Sequence, residues 1–318
     1  MTIKVSNSEI QSFKSCRRRW WLTYYRELGL KRTEEAPSGP RQLGTKVHAA
    51  LQRYYEDGLD LVQTITELYD HDVAWYQEHG TPDQVEGVRK EFDLAHAIVS
   101  GYEDWIEETG VDHGLTLIGT EATVEIPMDE FGFAGYALRG KLDARFIRDV
   151  DGASLFLDHK TVAEMTTPQK LLPIDEQMKF YHLLDELDRK VNGAQSTRTD
   201  GALYNMLRKV KRTARANPPF YLRVEQRHNK LELESMWQRT LKVLEEIRET
   251  RARLDAGESH LYVCPPRPSR DCTWQCDFFR VCGMFDDGSN IEDLLAERYD
   301  HRDPHERYQD NDSTTDIS

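Results

Sequence analysis

Three residues on two neighbouring stretches carry the strongest chemical signal in the chain. Gly140-Lys141-Leu142-Asp143 places a carboxylate in or at the end of one apolar segment. Fifteen positions on, Leu155-Phe156-Leu157-Asp158-His159-Lys160 is a second apolar segment ending in Asp-x-Lys. If both are strands, period-two geometry turns Asp158 and Lys160 to one face, and Asp143 joins them when the strands pair. Two carboxylates beside an ammonium group suit hydrolysis of a phosphodiester with a divalent cation. Oxygen donors favour Mg²⁺ or Mn²⁺, and the lysine stabilises developing negative charge. Taken by itself, the Asp-x-Lys is a weak signal and reads first as an ordinary strand-end ion pair.

Further residues are arranged around this set in chain order. His48 follows Gly44 on a helical stretch with Val47, Ala50, Leu51 and Tyr54 at helical spacing. Glu121 lies in the strand before Asp143. Gln177 and Tyr181 share a helix face at i, i+4. The cysteines form a second constellation. Cys272, Cys276 and Cys282 give C-x3-C-x5-C, with Cys264 just upstream and Cys16 far away near the start. A tetrahedral zinc or a [4Fe-4S] cluster needs a fourth ligand, and either Cys16 or Cys264 can supply it.

The order His, Gly-x-x-Asp, Asp-x-Lys, Gln-x-x-x-Tyr resembles the RecB-like nucleases of the PD-(D/E)XK superfamily. The early cysteine plus C-terminal triplet, with Arg270-Asp271-Cys272-Thr273-Trp274-Gln275-Cys276-Asp277-Phe278-Phe279, resembles their iron–sulfur branch. That branch includes AddB and CRISPR-associated exonucleases, with many phage-encoded relatives. The likeness spans about residues 6 to 286. It implies metal binding by His48, Asp143, Asp158, the His159 carbonyl and Glu121, with Lys160, Asp143 and Asp158 catalytic. It implies DNA contacts from Gln177 and Tyr181, and a [4Fe-4S] cluster on Cys16, Cys272, Cys276 and Cys282, leaving Cys264 as a spare thiol.

The elements that must position these groups are legible in outline. Ser6 and Glu9 form a capping-box signature for a helix from about Asn7. Residues 85–106 repeat apolar side chains every three or four positions, a long amphipathic helix. The period then changes to strands at Leu115–Met128, Phe133–Leu138, Lys141–Ile147 and Ser154–Asp158. A helix follows over Ile174–Val191, then strands at Leu203–Leu207 and Tyr221–Glu225, then a helix over Leu231–Leu254. This predicts an α/β fold: a restriction-endonuclease-like core with a central mixed sheet, an added helical layer and a cysteine-ligated cluster region. The expected organisation is one nuclease domain over residues 1–285, its iron–sulfur region at 1–30 and 264–285, and an acidic, mobile tail over 286–318.

Composition sets outer limits. Charged residues at 31% and six tryptophans describe a globular chain. No apolar run is long enough to span a bilayer, the start lacks a secretory segment, and a cytoplasmic location without membrane attachment is expected. The net charge of −14 argues against nucleic acid only superficially, because Asp286–Ser318 holds eleven acids against three arginines. Arg208, Lys209, Lys211 and Arg212 lie on a predicted loop ahead of Pro218-Pro219-Phe220-Tyr221, a cation-and-aromatic mixture suited to DNA. Lys14, Arg17, Arg18 and Arg19 beside Trp20 and Trp21 form a similar stretch that helix packing also explains. The expected activity is a metal-dependent exonuclease on single-stranded or end-containing DNA, alone, as a homo-oligomer or with a recombination or CRISPR-type partner. Two alternatives stand beside it: a non-catalytic DNA-binding adaptor and a structure-specific endonuclease.

Overall fold

The structure is a computed structural model that describes residues 2–191 and 199–308. In chain order it contains β1 (Ile3–Ser6), α1 (Asn7–Ser15), α2 (Arg17–Trp20), β2 (Leu28–Leu30), α3 (Pro40–Asp57), α4 (Leu61–His79) and α5 (Pro82–Thr109). Next come β3 (Leu115–Pro127), β4 (Tyr136–Arg148), β5 (Ala153–Val162), α6 (Thr166–Leu171), α7 (Glu176–Val191), β6 (Gly201–Arg208) and β7 (Tyr221–Gln226). The chain continues with α8 (Lys230–Asp255), α9 (His260–Val263), α10 (Cys272–Gln275), α11 (Ile291–Arg298) and β8 (Tyr299–His301). This is a mixed α/β architecture with a central mixed sheet, as expected. The residues fall into two compact units: Met1–Glu35, Glu125–Gly140 and Glu234–Ser318 in one, Ala36–Val124 and Lys141–Leu233 in the other.

In the first unit, β1 pairs in parallel with the start of β4, Ile3 opposite Tyr136 through Ser6 opposite Arg139. Ser6 caps α1 by accepting the Glu9 N–H at 3.3 Å. The reciprocal half of the capping box gives way to another bond, in which Glu9 Oε1 accepts Trp20 Nε1–H at 2.9 Å. Trp20 and Trp21 are buried, so the first basic-aromatic stretch belongs to the core. Two of its arginines are used internally: Arg17 pairs with Glu246, and Arg18 with Asp286. The acidic segment beyond Asp286 carries α11 and β8, with Leu295, Tyr299 and Tyr308 buried and β8 antiparallel to β2. Residues 309–318 of the expected tail lie outside the described residues.

In the second unit, the later part of β4 runs antiparallel to β5, β5 parallel to β6, and β6 antiparallel to β7. The expected break between Leu138 and Lys141 is absent; β4 is one strand through Gly140. Three helices pack a core of Leu43, Val47, Leu51, Ile65, Tyr69, Val88, Ala95, Ile98 and Tyr102. Their ends follow from local chemistry. Pro40 opens α3, and Gly58, at φ 68°, ends it in the left-handed conformation. Thr81 and Gln84 form a complete capping box on α5.

Candidate active site

The second unit brings four of the expected residues together. The β4–β5 register runs as far as Ala144 opposite Leu157. One step further, Asp143 Oδ2 accepts the freed peptide N–H of His159 at 2.6 Å. His48 comes from α3, with Nδ1 3.5 Å from the same Asp143 oxygen. Gly44 sits one helical turn before His48, and a Cβ there would lie 3.2 Å from Thr161 Oγ1. The missing side chain thus lets α3 approach β5 closely enough to deliver the imidazole. Lys160 Nζ donates to Asp158 Oδ1 at 3.1 Å and lies 2.9 Å from Oδ2. Asp158 and Lys160 share a face, as period two requires.

The charges are strongly coupled. Burial pushes the Asp158 carboxyl up; the Lys160 ammonium opposes this, but the Asp143 charge adds to the rise. Burial works the same way on Asp143. There the His48 imidazole, its hydrogen bond, and the nearby His159 and Lys160 outweigh it, holding the carboxyl well below its ordinary value. Burial disfavours charge on His48, yet Asp143 raises its pKa. For Lys160 the burial penalty is overcome by Asp158, so the ammonium stays charged. The group therefore contains one firmly ionised carboxylate, one reluctant one and a fixed cation.

Glu121 lies beside them in β3 but is engaged elsewhere, 2.6 Å from Lys141 Nζ. Its backbone has φ 45°, a left-handed conformation unusual for a non-glycine residue and a frequent companion of functional sites. On α7, Gln177 Nε2 donates to Tyr181 OH at 3.2 Å, and the Tyr181 hydroxyl is close enough to bias the Lys160 ammonium. The basic loop is present, with its cations in use. Arg208 donates to the Asn217 carbonyl, Lys211 pairs with Asp93 at 3.2 Å, and Arg212 with Asp104 at 2.9 Å. The last two are exposed pairs of about 0–1 kcal/mol each, easily exchanged for phosphate. Lys209 is half-buried, and burial lowers its pKa.

A buried polar network behind the site was not legible in the sequence. Arg223 Nε donates to Asn205 Oδ1 at 3.1 Å, and Nη2 donates to the hydroxyls of Tyr55 at 3.0 Å and Tyr102 at 2.9 Å. Its Nη1 pairs with Asp112. Asn205 in turn reaches His159 Nδ1 at 2.8 Å. Burial pushes the His159 imidazole down to about 3, so it stays neutral. The signal available in the sequence was only an arginine and an asparagine inside apolar strands.

The cysteines lie in the first unit and all five are free thiols. Cys16 Sγ accepts the Arg267 N–H and Cys272 Sγ the Ser269 N–H, each at 3.4 Å, while Arg18 Nη1 lies 3.9 Å from Cys282 Sγ. Such donors favour thiolates. Burial pushes Cys276 up to about 11 and raises Cys282. Cys264 is completely buried and also pushed to about 11.

Among the described residues, no group of three or more His, Cys, Asp or Glu side chains is placed to hold a metal ion. The donor chemistry at the β4–β5 end nevertheless fits a hard divalent cation. Asp143 and His48 adjoin, Asp158 lies near enough to feel both charges, and its buried Oδ2 has only its ion pair with Lys160, without a hydrogen bond of good geometry. The thiols with their N–H and guanidinium donors fit a thiolate-ligated group in the same chemical sense.

Comparison with known proteins gives a family. The profile of the PD-(D/E)XK nuclease superfamily matches residues 4–283. Among solved structures, one from Eubacterium rectale, provisionally named an exonuclease, superposes with TM-score 0.48 at 14% identity, covering 87% of each chain. The structure of SSO0001 superposes with TM-score 0.36 at 13% identity, covering 89% of this chain and 87% of the other. No curated protein matches the sequence.

Proposed function

The chain belongs to the PD-(D/E)XK nuclease superfamily, and from that premise we propose that it is a divalent-metal-dependent deoxyribonuclease, an exonuclease on single strands or duplex ends. The observation that carries this reading is the meeting of Asp143, His48, Asp158 and Lys160 at one strand end. Mg²⁺ or Mn²⁺ held by Asp143, Asp158, His48 and the His159 carbonyl would supply Lewis-acid activation of water and phosphate. Glu121 would be a further ligand on release from Lys141. Asp143 and His48 hold each other in place across 3.5 Å, and His48 would serve as a ligand in its neutral form. Lys160, kept an ammonium by Asp158, stabilises negative charge on the phosphate oxygens and orients the attacking water.

Gln177 and Tyr181 present a polar pair beside Lys160 for the DNA strand. Arg208, Lys209, Lys211 and Arg212 attract its phosphates, the last two by exchanging Asp93 and Asp104 for them. In the other unit, Cys16, Cys272, Cys276 and Cys282 ligate a [4Fe-4S] cluster that ties the N-terminal helices to the C-terminal segment. The supporting observation is the set of N–H and guanidinium donors at three of these sulfurs. The nuclease then comprises residues 1–285 together with the packed segment that follows them, whose β8 pairs with β2.

The test compares wild type with Lys160→Ala, with Mg²⁺ or Mn²⁺, on end-labelled single- and double-stranded DNA and on circular single strands. The wild type degrades linear DNA, and the variant binds DNA without cutting. Cleavage of circles reassigns the protein as an endonuclease. Binding without any cleavage, in protein with its iron intact, makes it an adaptor. Zinc in place of iron in anaerobically purified protein removes the cluster.

A further inference from the structure

His159, Asn205 and Arg223 are consecutive cross-strand neighbours on β5, β6 and β7. Asn205 is fully buried, with each of its side-chain atoms assigned a role by its surroundings. Arg223 Nε–H can only donate, so the 3.1 Å contact makes the facing Asn205 atom the oxygen. The other atom is then the amide nitrogen, which donates to Tyr102 OH at 2.9 Å and to His159 Nδ1 at 2.8 Å. His159 Nδ1 must accept, so the ring carries its proton on Nε2. The ring is further fixed by stacking on Tyr55 and by the edge of His48, at 5.7 and 5.9 Å between centroids. Its own backbone N–H holds Asp143, and its chain neighbours are Asp158 and Lys160.

We propose that Asn205, oriented by Arg223, is a positioning residue that pins the His159 imidazole. It thereby fixes the peptide on which the Asp143 carboxylate, the His159 carbonyl and the flanking Asp158 and Lys160 depend. This rests on the nuclease reading above. The arrangement explains why a guanidinium, an amide and two tyrosine hydroxyls are buried together behind the site. Each satisfies another, and the chain of donors ends on an atom of the metal-proximal loop of charge. An isolated structural network has no need to terminate on that imidazole.

The experiment replaces Asn205 by Leu, which keeps the branching in a larger side chain without a donor, and by Asp. Asp accepts from Arg223 Nε with one oxygen and from a His159 Nδ1–H with the other, so the imidazole is held with its proton moved. Mn²⁺ affinity is read from the paramagnetic resonance of free Mn²⁺, and the His159 tautomer from imidazole ¹⁵N shifts. Expected are an Nε2–H ring in wild type, Mn²⁺ affinity weakened on the order of tenfold in Asn205→Leu, and restored affinity with an Nδ1–H ring in Asn205→Asp. Wild-type affinity and tautomer in Asn205→Leu overturn the proposal. If that variant does not fold, an Asn205→Asp protein whose ring keeps its proton on Nε2 overturns it instead. Wild type that binds Mn²⁺ without cutting DNA sinks the nuclease reading alone, because neither readout depends on cleavage. Wild type that binds no Mn²⁺ sinks both.

Discussion

Asp143 Oδ2 accepts the His159 peptide N–H at 2.6 Å, one residue past the last β4–β5 pair. The carboxylate thus replaces a ladder hydrogen bond while facing His48. Asp143→Asn separates these two duties. The amide oxygen still accepts the N–H, so the fold persists, with a melting temperature lowered by the lost attraction to His48 and Lys160. The negative charge is gone, so Mn²⁺ binding and cleavage fall roughly a hundredfold or more. Calorimetry beside a Mn²⁺ titration checks this; a collapse in stability with metal affinity intact would reverse the assignment.

Glu121 pays for its place with a left-handed backbone at φ 45°. Glycine adopts that conformation freely, whereas alanine suffers the same clash as glutamate. Glu121→Gly is therefore expected to be more stable than Glu121→Ala by about 1 kcal/mol, the reverse of the usual order inside a strand. Both lose the ion pair with Lys141, so their difference isolates the backbone. Both also bind Mn²⁺ more weakly than wild type. Urea midpoints for the pair decide the first point, and equal or inverted stabilities reject it.

Asp286 looks like the first residue of a solvated acidic tail but holds a buried cation. Arg18 is 1% exposed and donates to both Asp286 oxygens at 2.8 and 2.9 Å and to the Cys282 carbonyl at 2.9 Å. Removing the half-exposed acid strands the guanidinium, whereas removing the arginine leaves a carboxylate that water can reach. Asp286→Ala should thus be the more destabilising change and Arg18→Met clearly the milder one. Equilibrium unfolding of the two variants tests the order, and Arg18→Met as the costlier change would contradict it.

What the sequence disclosed follows from range and type of signal. Period two put Asp158 and Lys160 on one face, but the grouping of Asp143 and His48 with them came from the resemblance in motif order, not from local geometry. The helix α4 went unassigned although Asp60 caps it, accepting the Gln63 N–H at 2.6 Å, and Leu61, Ile65, Tyr69 and Tyr76 line its buried side. Histidines and acids dilute that stripe. The short β1, β2 and β8 have no periodicity to read, since their partners are distant in sequence. The cations of the 208–212 loop looked available because Asp93 and Asp104 are more than a hundred residues away. The buried roles of Asn205 and Arg223 were unreadable for the same reason: only register lines them up behind His159.

The His182–His228 pair makes the fold acid-sensitive apart from the catalytic group. His182 Nε2–H donates to the Thr199 carbonyl at 3.0 Å, so its Nδ1 accepts from His228 Nδ1–H at 3.2 Å. One proton fits between the rings; a second would set two N–H groups face to face. Burial depresses both imidazoles, His228 to about 4, with the neighbouring ring adding to its depression. Glu186, Asp185 and Glu232 pull the other way, and Lys179 sides with burial. The folded pKa lies below the unfolded value near 6.5, so the unfolded chain takes up protons first. Stability is full above about pH 6.5 and is lost as pH falls towards 4. His228 is partly exposed, and solvent screening limits the loss to about 2 kcal/mol. His228→Gln removes the His228 share of the titration and leaves that of His182. Its urea midpoint should fall less than that of wild type between pH 7.5 and 5, a difference from which the titration of Asp158 cancels. Parallel loss in the two proteins would show that the histidine pair is not the sensitive element.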